Sequence, residues 1–460
     1  MTKFFTDSAE NSTPLTLVTK ASLSDWLNGQ DQRVQTHVQS QGFKGDAGHF
    51  LIIPNQEGKA SMVLIGHEDD DTLYALSAAA GQLPVGTYSL KAGVIGAEKA
   101  TQLALGWALG QYKFDRYLKD SSSSARQLAW PEQADRNYVL AALEATTLVR
   151  DLVNIPANDL GPEELSDAAT KLAKEYGAEK AADIVGTDLL DKNYPLVYAV
   201  GKGSDRAPRL IDFRWGNADA PKVTLVGKGV VFDTGGNNIK PGGSMGIMKK
   251  DMGGSAHVLG LATMIMKIGL NVRLRVLVPA VENSINGLAM RPGDVYPSRK
   301  GLSVEIENTD AEGRLILADA LAEAASENPE LIIDFATLTG AARVALGPDV
   351  PPFFTDSDDL AKKLMSASAN QQDPLWQLPL LDELYSKMRG HNIADICHTG
   401  GRQGGAITAA LFLKKFVDDS QKWIHIDTWA WRAEDRPGRP VGGDAIGMRS
   451  VYQMLAKAYG

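Results

Sequence analysis

From about residue 156 onwards, short apolar runs alternate with segments that have the periodicity of helices. We assign the apolar runs to strands at 195–201, 209–215, 223–227, 273–281, 330–338 and 423–429. We assign the periodic segments to helices at 163–177, 255–269, 314–325 and 406–417. Strands that are apolar on nearly every residue are buried on both faces, and parallel strands need a crossover that is usually a helix. The pattern therefore predicts an α/β domain with a mostly parallel sheet flanked by helices.

The first part of the chain has a weaker pattern of the same kind. Strand-like runs lie at 15–19, 49–54 and 61–66, and residues 100–114 have apolar positions at helical spacing. These features predict a smaller α/β domain over residues 1–130. It has no cluster of acidic residues and no glycine-rich anion loop, so we expect its role to be structural or regulatory.

Two segments separate the parts. A polar run at 119–124 has the composition of a linker. The helical pattern at 134–154 stops before Pro156, as expected because the residue before a proline avoids the helical conformation. We therefore predict a connecting helix over 131–155 and a large second domain over 156–460.

Composition excludes several classes of protein. A chain of 460 residues with 44% hydrophobic and 22% charged residues is typical of a globular protein of about two domains. The net charge of −9 argues against a nucleic-acid or membrane-surface partner, because both need a basic face. No run approaches the roughly 18 apolar residues of a membrane span. The single cysteine excludes an internal disulfide, and together with the absence of an obvious signal segment it predicts a cytoplasmic location.

Side chains that can bind a metal ion or stabilise charge gather in two short stretches of the large domain. The first stretch, 223–254, reads VTLVGKGVVFDTGGNNIKPGGSMGIMKKDMGG, and the second, 308–315, reads NTDAEGRL. The side chains in question are Lys228, Asp233, Lys240, Asp251, Asp310, Glu312 and Arg314. Clustered carboxylates repel one another unless a cation neutralises them. Divalent metal ions are the simplest such cations.

The predicted elements bring these stretches together. Lys228 and Asp233 follow the strand at 223–227, whereas Asp251 and Glu312 lie just before predicted helices. Open α/β sheets bind ligands at the carboxyl ends of their strands, where these helices begin. Residues far apart in the sequence are therefore expected to share one crevice.

The ligand types indicate which ions fit. Carboxylates without a cysteine or an obvious histidine partner favour Mn²⁺, Mg²⁺ or Zn²⁺. Two such ions about 3.5–4 Å apart can activate a water and hold a carbonyl oxygen at the same time. Lys228 must lose its proton to bind a metal ion, far below its reference pKa of about 10.4. Lys240 and Arg314 would keep their charge and offset negative charge in a transition state.

Several separated blocks resemble the leucyl aminopeptidase (cytosol aminopeptidase) family of dinuclear metallopeptidases. NTDAEGRL matches that family's signature, and the spacing from Lys228 to Asp251 fits without gaps. Further similarity lies at 150–165, 334–347 and 404–417, so that the resemblance covers roughly 150–460.

The resemblance implies a role for each residue of the cluster. Asp233 and Glu312 would contact both of two divalent ions, Mn²⁺ or Zn²⁺. Lys228 and Asp251 would complete the more tightly held site, and Asp310 the more exchangeable one. The nucleophile would be a water that bridges the ions.

The catalytic residues implied by the resemblance are Lys240 and Arg314. Lys240 would polarise the scissile carbonyl group, and Arg314 would hold a bicarbonate ion that acts as the general base. The free α-amine of the substrate would bind one metal ion.

The resemblance also implies a pocket for the first side chain of the substrate and an assembly. The pocket residues would be Met248, Thr337, Leu338 and Gly340. The chain departs from the family pattern near this pocket at Gly246 and at Asn237-Asn238, which leaves the side-chain preference open. The implied function is removal of N-terminal residues, preferably leucine or other apolar residues, from peptides by a homohexamer.

Other interpretations remain. Asp251 could cap the helix that follows it, Asp310 and Glu312 could be an acidic pair that stabilises a helix start through the helix dipole, and Lys228 could form an ordinary ion pair. Asp233-Thr234-Gly235 resembles the aspartic protease triplet, but that chemistry needs two such aspartates and the chain has no second triplet. A hexameric DNA-binding or regulatory scaffold with secondary or no peptidase activity is the main alternative function. Retention of every expected ligand argues against it.

Overall fold

The computed structural model describes residues 2–68, 72–90, 95–119, 124–179, 182–388, 391–401 and 403–460. The chain divides into two compact units, one formed by 1–147 with 432–441 and the other by 148–431 with 442–460. The predicted boundaries at residues 130 and 155 stay predictions. Most of the predicted linker, 120–123, lies outside the described residues.

The first unit contains a six-stranded sheet. Its strands are β1 (Phe5–Thr6), β2 (Thr13–Val18), β3 (Phe50–Pro54), β4 (Ala60–Gly66), β5 (Thr87–Leu90) and β6 (Gln127–Ala129). Its helices are α1 (Leu23–Asn28), α2 (Gln32–Ser40), α3 (Ser77–Gln82) and α4 (Ala97–Leu109), and a 3₁₀ turn covers Thr2–Phe4. The strand order is β1-β6-β5-β2-β4-β3, and the pairs are parallel except β3 with β4. The predicted N-terminal α/β fold is confirmed.

A 19-residue helix, α5 (Arg136–Asn154), contains the boundary between the units. The strands that follow are β7 (Ala182–Val185), β8 (Arg209–Trp215), β9 (Lys222–Gly227), β10 (Gly229–Asp233), β11 (Arg273–Asn283), β12 (Val295–Pro297), β13 (Ser303–Glu305), β14 (Leu331–Ala336), β15 (Pro352–Phe354), β16 (Trp376–Gln377), β17 (Ile396–Cys397), β18 (Trp423–Asp427), β19 (Trp431–Arg432) and β20 (Gly442–Gly443).

The helices of this part of the chain are α6 (Pro162–Glu175), α7 (Asp188–Asp191), α8 (Pro195–Gly201), α9 (Gly242–Met245), α10 (Gly253–Ile268), α11 (Gly313–Ser326), α12 (Gly340–Leu346), α13 (Asp358–Gln371), α14 (Gly405–Lys414) and α15 (Met448–Tyr459). Two 3₁₀ helices cover Met248–Met252 and Asp382–Met388. In the described residues, no helix is both long enough and apolar enough to cross a membrane.

The large sheet has the order β16-β15-β18-β14-β9-β11-β8-β7, with β10 also paired to β11. The central strands β18, β14, β9 and β11 pair with one another in parallel. At one edge of the sheet, β8 pairs antiparallel with β11, and β7 pairs antiparallel with β8. A buried apolar cluster joins the sheet to helices, with Val226 and Ile332 from strands and Leu315 and Phe412 from helices. The predicted mostly parallel sheet flanked by helices is confirmed.

One strand assignment is wrong. Residues 195–201 form helix α8 and not a strand. A short apolar run is compatible with either a buried strand or a buried helix, so periodicity alone does not separate them. Pro195 occupies the first turn, and the Asp319 carboxylate accepts hydrogen bonds from the backbone N–H groups of Leu196 (2.8 Å) and Val197 (3.4 Å). This cap comes from a residue more than a hundred positions away, which the local pattern does not reveal.

Candidate metal centre

The predicted site residues converge at the carboxyl ends of the central strands. Lys228 follows β9 directly, Asp233 is the last residue of β10, and the segment 337–340 follows β14. Asp251 and Glu312 lie immediately before the helices α10 and α11. The crevice predicted from strand ends and helix starts is therefore present.

One end of the cluster is deeply buried, and we call Lys228, Asp251 and Glu312 the buried trio. The ammonium group of Lys228 lies 2.7 Å from Asp251 Oδ2 and 2.9 Å from Glu312 Oε1. These side chains are only 3%, 4% and 1% exposed. A Cβ atom on Gly313 would lie 2.4 Å from the Lys228 side chain, so only glycine leaves room for this lysine.

The other end is closer to solvent, and we call Asp233, Lys240 and Asp310 the outer trio. Lys240 Nζ lies 2.8 Å from Asp233 Oδ2 and also pairs with Asp310 Oδ1. Asp233 is 2% exposed, Lys240 13% and Asp310 31%. The second oxygen of Asp233, Oδ1, accepts hydrogen bonds from the Gly235 N–H and the Asn283 side chain, both at 2.8 Å.

The two trios form one site. One carboxylate oxygen from each of Asp233, Asp310 and Glu312 lies within 4.8 Å of the other two. Glu312 Oε2 is buried and has no hydrogen-bond partner among the described residues. Leaving a buried acceptor unsatisfied is costly, and a metal ion would satisfy it. The oxygen-rich set fits a hard or borderline divalent ion.

The charges of the cluster do not balance. Four carboxylates surround two ammonium groups, which leaves two negative charges in excess when all groups are ionised. Burial raises the pKa of Asp233, and repulsion from Glu312 and Asp251 raises it further. Burial also raises the pKa of Asp251 and of Asp310. An additional positive charge, such as a bound metal ion, would lower these carboxylate pKa values and so favour the ionised forms.

Glu312 behaves differently because both lysines act on it. Burial disfavours its charge, but Lys228 and Lys240 together lower its pKa to about 2. Burial alone would lower the pKa values of the lysines, and the surrounding carboxylates raise them instead. Without metal, Glu312 therefore carries a negative charge and Lys228 is its protonated partner.

Arg314 points its guanidinium group towards a neighbouring loop. Its Nη1 donates to the His398 carbonyl oxygen at 2.7 Å, and its buried Nε has no hydrogen-bond partner among the described residues. Burial lowers the pKa of Arg314 to about 10, so the group still carries its charge at neutral pH. A charged donor without a partner fits a small oxyanion such as bicarbonate.

A cavity of about 490 Å³ lies beside the outer trio. It is lined by Asn238, Glu307, Asn308, Asp310, Ala311, Arg314, Leu338, Thr339, Gly340, Ala341, Thr399, Gly400, Gly401, Gly405 and Thr408. Two of the predicted pocket residues, Leu338 and Gly340, are in this wall. Two others are not: Thr337 donates a hydrogen bond to Asp251 Oδ1 at 2.8 Å, and Met248 is buried with 7% exposure.

Two residues that the sequence analysis did not select hold parts of the site in place through hydrogen bonds. Asn283 ends β11 and donates to Asp233 Oδ1 (2.8 Å) and to the Thr309 carbonyl oxygen (3.1 Å). Asp427 ends β18 and accepts hydrogen bonds from the N–H groups of Leu338 (2.8 Å) and Thr339 (3.2 Å) and from the Thr339 hydroxyl (2.6 Å). Their position at strand ends was the available signal, but many strands end in a polar residue.

The unusual pair Asn237-Asn238 joins the two sequence stretches. The Asn238 N–H donates to Thr309 Oγ1 at 2.8 Å, and the Thr309 N–H donates to Asn238 Oδ1 at 2.9 Å. Asn237 donates to the Met290 carbonyl oxygen at 2.9 Å. This reciprocal pairing fixes the loop that carries Lys240 against the loop that carries Asp310.

Comparison with known proteins gives one consistent result. The catalytic domain of the cytosol aminopeptidase family matches residues 147–452, and the M17 aminopeptidase N-terminal domain matches residues 13–131. A probable cytosol aminopeptidase from Syntrophotalea carbinolica is 42% identical over 371 residues, which cover 77% of this chain and 74% of that protein.

Solved structures agree. The cytosol aminopeptidase from Coxiella burnetii is 45% identical and superposes with a TM-score of 0.95 over 100% of both chains. The bottromycin maturation enzyme BotP, solved in complex with Mn, is 33% identical with a TM-score of 0.88, covering 98% of this chain and 100% of its own. From its sequence, fold and carboxylate-lined site, the chain belongs to the cytosol aminopeptidase family and is a metal-dependent aminopeptidase.

Proposed function

We propose that the protein removes the N-terminal residue, preferably leucine or another apolar residue, from peptides with a free α-amine, using two divalent ions. The observation that carries this proposal is the set of four converging carboxylates with a buried, unsatisfied oxygen on Glu312. A cavity beside the outer trio offers room for a peptide.

The ligands divide between two ions. Asp233 and Glu312 would hold both ions, Lys228 and Asp251 would complete the tightly held site, and Asp310 would complete the exchangeable one. Burial of Lys228, Asp251 and Glu312 against the 31% exposure of Asp310 supports this division. When bound, the ions supply Lewis acidity and an activated water. Mn²⁺ is our first choice because BotP was solved with Mn, and Zn²⁺ is the second.

Lys240 and Arg314 act on the substrate and on the proton. The carboxylates around Lys240 raise its pKa, so its ammonium group stays charged and can offset the negative charge that develops on the scissile carbonyl oxygen. Arg314 would hold a bicarbonate ion through the Nε that has no protein partner among the described residues. When bound, that ion would supply a general base.

The first side chain of the substrate packs against Leu338 and Gly340, which line the cavity. Met248 and Thr337 belong to this pocket by the family resemblance alone, because they lie outside the cavity wall. Leu338 and Gly340 offer this side chain an apolar contact surface, which favours leucine over charged residues at that position. Asn237 acts on this pocket only indirectly, because its side chain donates to the Met290 carbonyl oxygen, whereas Asn238 lines the cavity and also binds Thr309.

The family resemblance also supports a homohexamer, and the names of the relatives support a cytoplasmic location. The DNA-binding or regulatory scaffold has no observation in its favour here. Light scattering on a size-exclusion column tests the assembly, with six chains per particle as the expected mass.

The function is tested by turnover of aminoacyl-fluorophore substrates with Mn²⁺, Zn²⁺, Co²⁺ or Mg²⁺ added to metal-free protein. We expect leucyl substrates to be cleaved in the presence of Mn²⁺ or Zn²⁺, and chelators to abolish turnover. N-acetyl-leucyl substrates serve as matched controls, because acetylation removes the amine that binds a metal ion. Equal turnover of blocked and free substrates would refute the amine–metal contact.

A further inference from the structure

Glu307 is an exposed acidic residue in the wall of the cavity beside the outer trio. It lies three positions before Asp310, on the segment that links β13 to the metal ligands. Neither metal binding nor the proposed chemistry uses its carboxylate. Its position raises the question of what it contacts in a bound peptide.

The Glu307 side chain is held in place through one oxygen. Oε2 accepts a hydrogen bond from the Thr399 hydroxyl and a weak one from Cys397 Sγ at 3.7 Å. The Glu307 N–H donates to Nδ1 of the buried His398 at 3.3 Å. These contacts fix the carboxylate before any substrate arrives, which lowers the entropy cost of binding through it.

The other oxygen remains available. Oε1 has no hydrogen-bond partner, and no lysine or arginine pairs with Glu307, within the part of the chain that the structure describes. Of the other charged residues in the cavity wall, Asp310 is paired with Lys240, and Arg314 donates to the His398 carbonyl. Among the described residues, Glu307 is therefore the wall carboxylate that no lysine or arginine pairs with; His391, which interacts with it electrostatically, is hydrogen-bonded to Glu305.

The remaining question is which part of a peptide reaches it. In the proposed function, the free amine binds at the ions, and the first side chain takes the wall formed by Leu338 and Gly340. Glu307 and Thr399 line the cavity from segments other than the one that contains Leu338 and Gly340. The part of the peptide left to contact them is the residue that follows the scissile bond.

Resting on the proposed function, we propose that Glu307 selects a lysine or arginine side chain in the residue that follows the scissile bond. A fixed carboxylate with a free oxygen accepts a charge-assisted hydrogen bond from either cation. Because the site is open to solvent, the effect is modest. Exposed ion pairs of this kind correspond to about a two- to five-fold change in an equilibrium or rate ratio.

The test compares three amidated peptides that differ only in the second residue: Leu-Lys, Leu-norleucine and Leu-Glu. For the Mn²⁺-loaded enzyme, we expect kcat/KM to be about two- to five-fold higher for Leu-Lys than for Leu-norleucine, and lowest for Leu-Glu. The ratio should shrink as salt rises, since screening weakens exposed pairs. Glu307→Gln keeps the acceptor for Thr399 and should bring the Lys/norleucine ratio to about one. Glu307→Lys should reverse the order and favour Leu-Glu.

Asp219→Asn is the matched control, because it removes one negative charge from an exposed loop of the same unit and should leave the ratio unchanged. The inference is overturned if the wild-type enzyme cleaves Leu-norleucine as fast as Leu-Lys, or if Glu307→Gln keeps the preference. A preference for Lys-Leu over norleucine-Leu amide would also overturn it, by assigning Glu307 to the first residue. Failure to cleave any of the leucyl peptides would instead refute the proposed function, and this inference with it.

Discussion

The buried trio and the outer trio have the same chemical make-up, one lysine between two carboxylates, but very different surroundings. Lys228, Asp251 and Glu312 are almost fully enclosed, whereas Lys240 and Asp310 are 13% and 31% exposed. In the buried trio, Asp251 is also fixed by the Thr337 hydroxyl. The difference fits the proposal that the buried trio holds one ion firmly, whereas the outer trio stays open to solvent and substrate.

The lysines differ in the same way. Lys228 must give up its proton to become a ligand, and the enclosure keeps it within 3 Å of both acids. Lys240 stands at the open end beside the cavity wall, where a charged ammonium group can meet a substrate oxygen. The burial of Lys228 therefore suits its proposed role as a metal ligand, and the partial exposure of Lys240 suits its proposed role in catalysis.

The largest expected effect comes from the residue that both ends share. Glu312→Ala removes a proposed ligand of both ions, so we expect kcat/KM to fall by more than about 100-fold, the upper range for losing an outer-shell partner of a metal ligand. Steady-state kinetics at saturating Mn²⁺ measure this, and circular dichroism checks that the fold is intact. Glu98→Ala, on the exposed face of α4, is the control. Retention of activity within about tenfold would mean that the ends do not share this ligand.

The second effect concerns the outer trio alone. Lys240→Ala should lower kcat by about 10²–10³-fold, as for loss of one group that stabilises a developing oxyanion. Bound metal, measured by elemental analysis, should stay the same, which separates this residue from the ligands. Lys171→Ala, an exposed lysine on α6, should have no effect. A Lys240→Ala enzyme with most of its rate would contradict the electrophilic role.

The third effect is a pH dependence at the buried trio. Burial alone would lower the pKa of Lys228, but Asp251 and Glu312 raise it, so the metal-free protein holds a proton there at neutral pH. An ion that binds Lys228 must displace that proton. Its affinity should therefore rise as pH rises, by about tenfold per pH unit for one proton released. Calorimetry between pH 6.5 and 8 in buffers of different ionisation enthalpy counts the proton, and release of none would exclude Lys228 as a ligand.

The smallest effect concerns the wall that adjoins the outer trio. Asp427 accepts three hydrogen bonds from Leu338 and Thr339, and Asp427→Asn weakens at least one of them. We expect KM for leucyl substrates to rise about two- to ten-fold, the range for one net hydrogen bond, with a smaller change in kcat. Asp427→Ala should raise KM further. An unchanged KM in both variants would show that this support does not position the wall.

Much of the site could be predicted from the sequence because the relevant signals are local. Lys228 follows a strand of the large parallel sheet, and Glu312 precedes a helix that leads back into that sheet, so both lie at its carboxyl edge. The intact NTDAEGRL block specified Asp310 and Glu312 in the same way. Gly313 follows Glu312 because the Lys228 side chain packs where a Cβ atom would lie, and only the folded structure shows this contact.

The missed features depend on distant partners. The run at 195–201 is helical because Asp319 caps it, and Asp427 supports the 338–339 backbone from another strand. Neither residue stands in a motif. The pairing of each lysine with its acids can be assigned only from the folded structure, because sequence spacing alone does not separate the buried trio from the outer trio.

The most direct test of the two-ion site is a crystal structure of the Mn²⁺-loaded protein with anomalous diffraction measured on both sides of the manganese absorption edge. We predict two anomalous peaks about 3.5–4 Å apart, one within reach of Lys228 and Asp251 and the other within reach of Asp310, with Asp233 and Glu312 between them. A single peak, or manganese bound away from these side chains, would contradict the account.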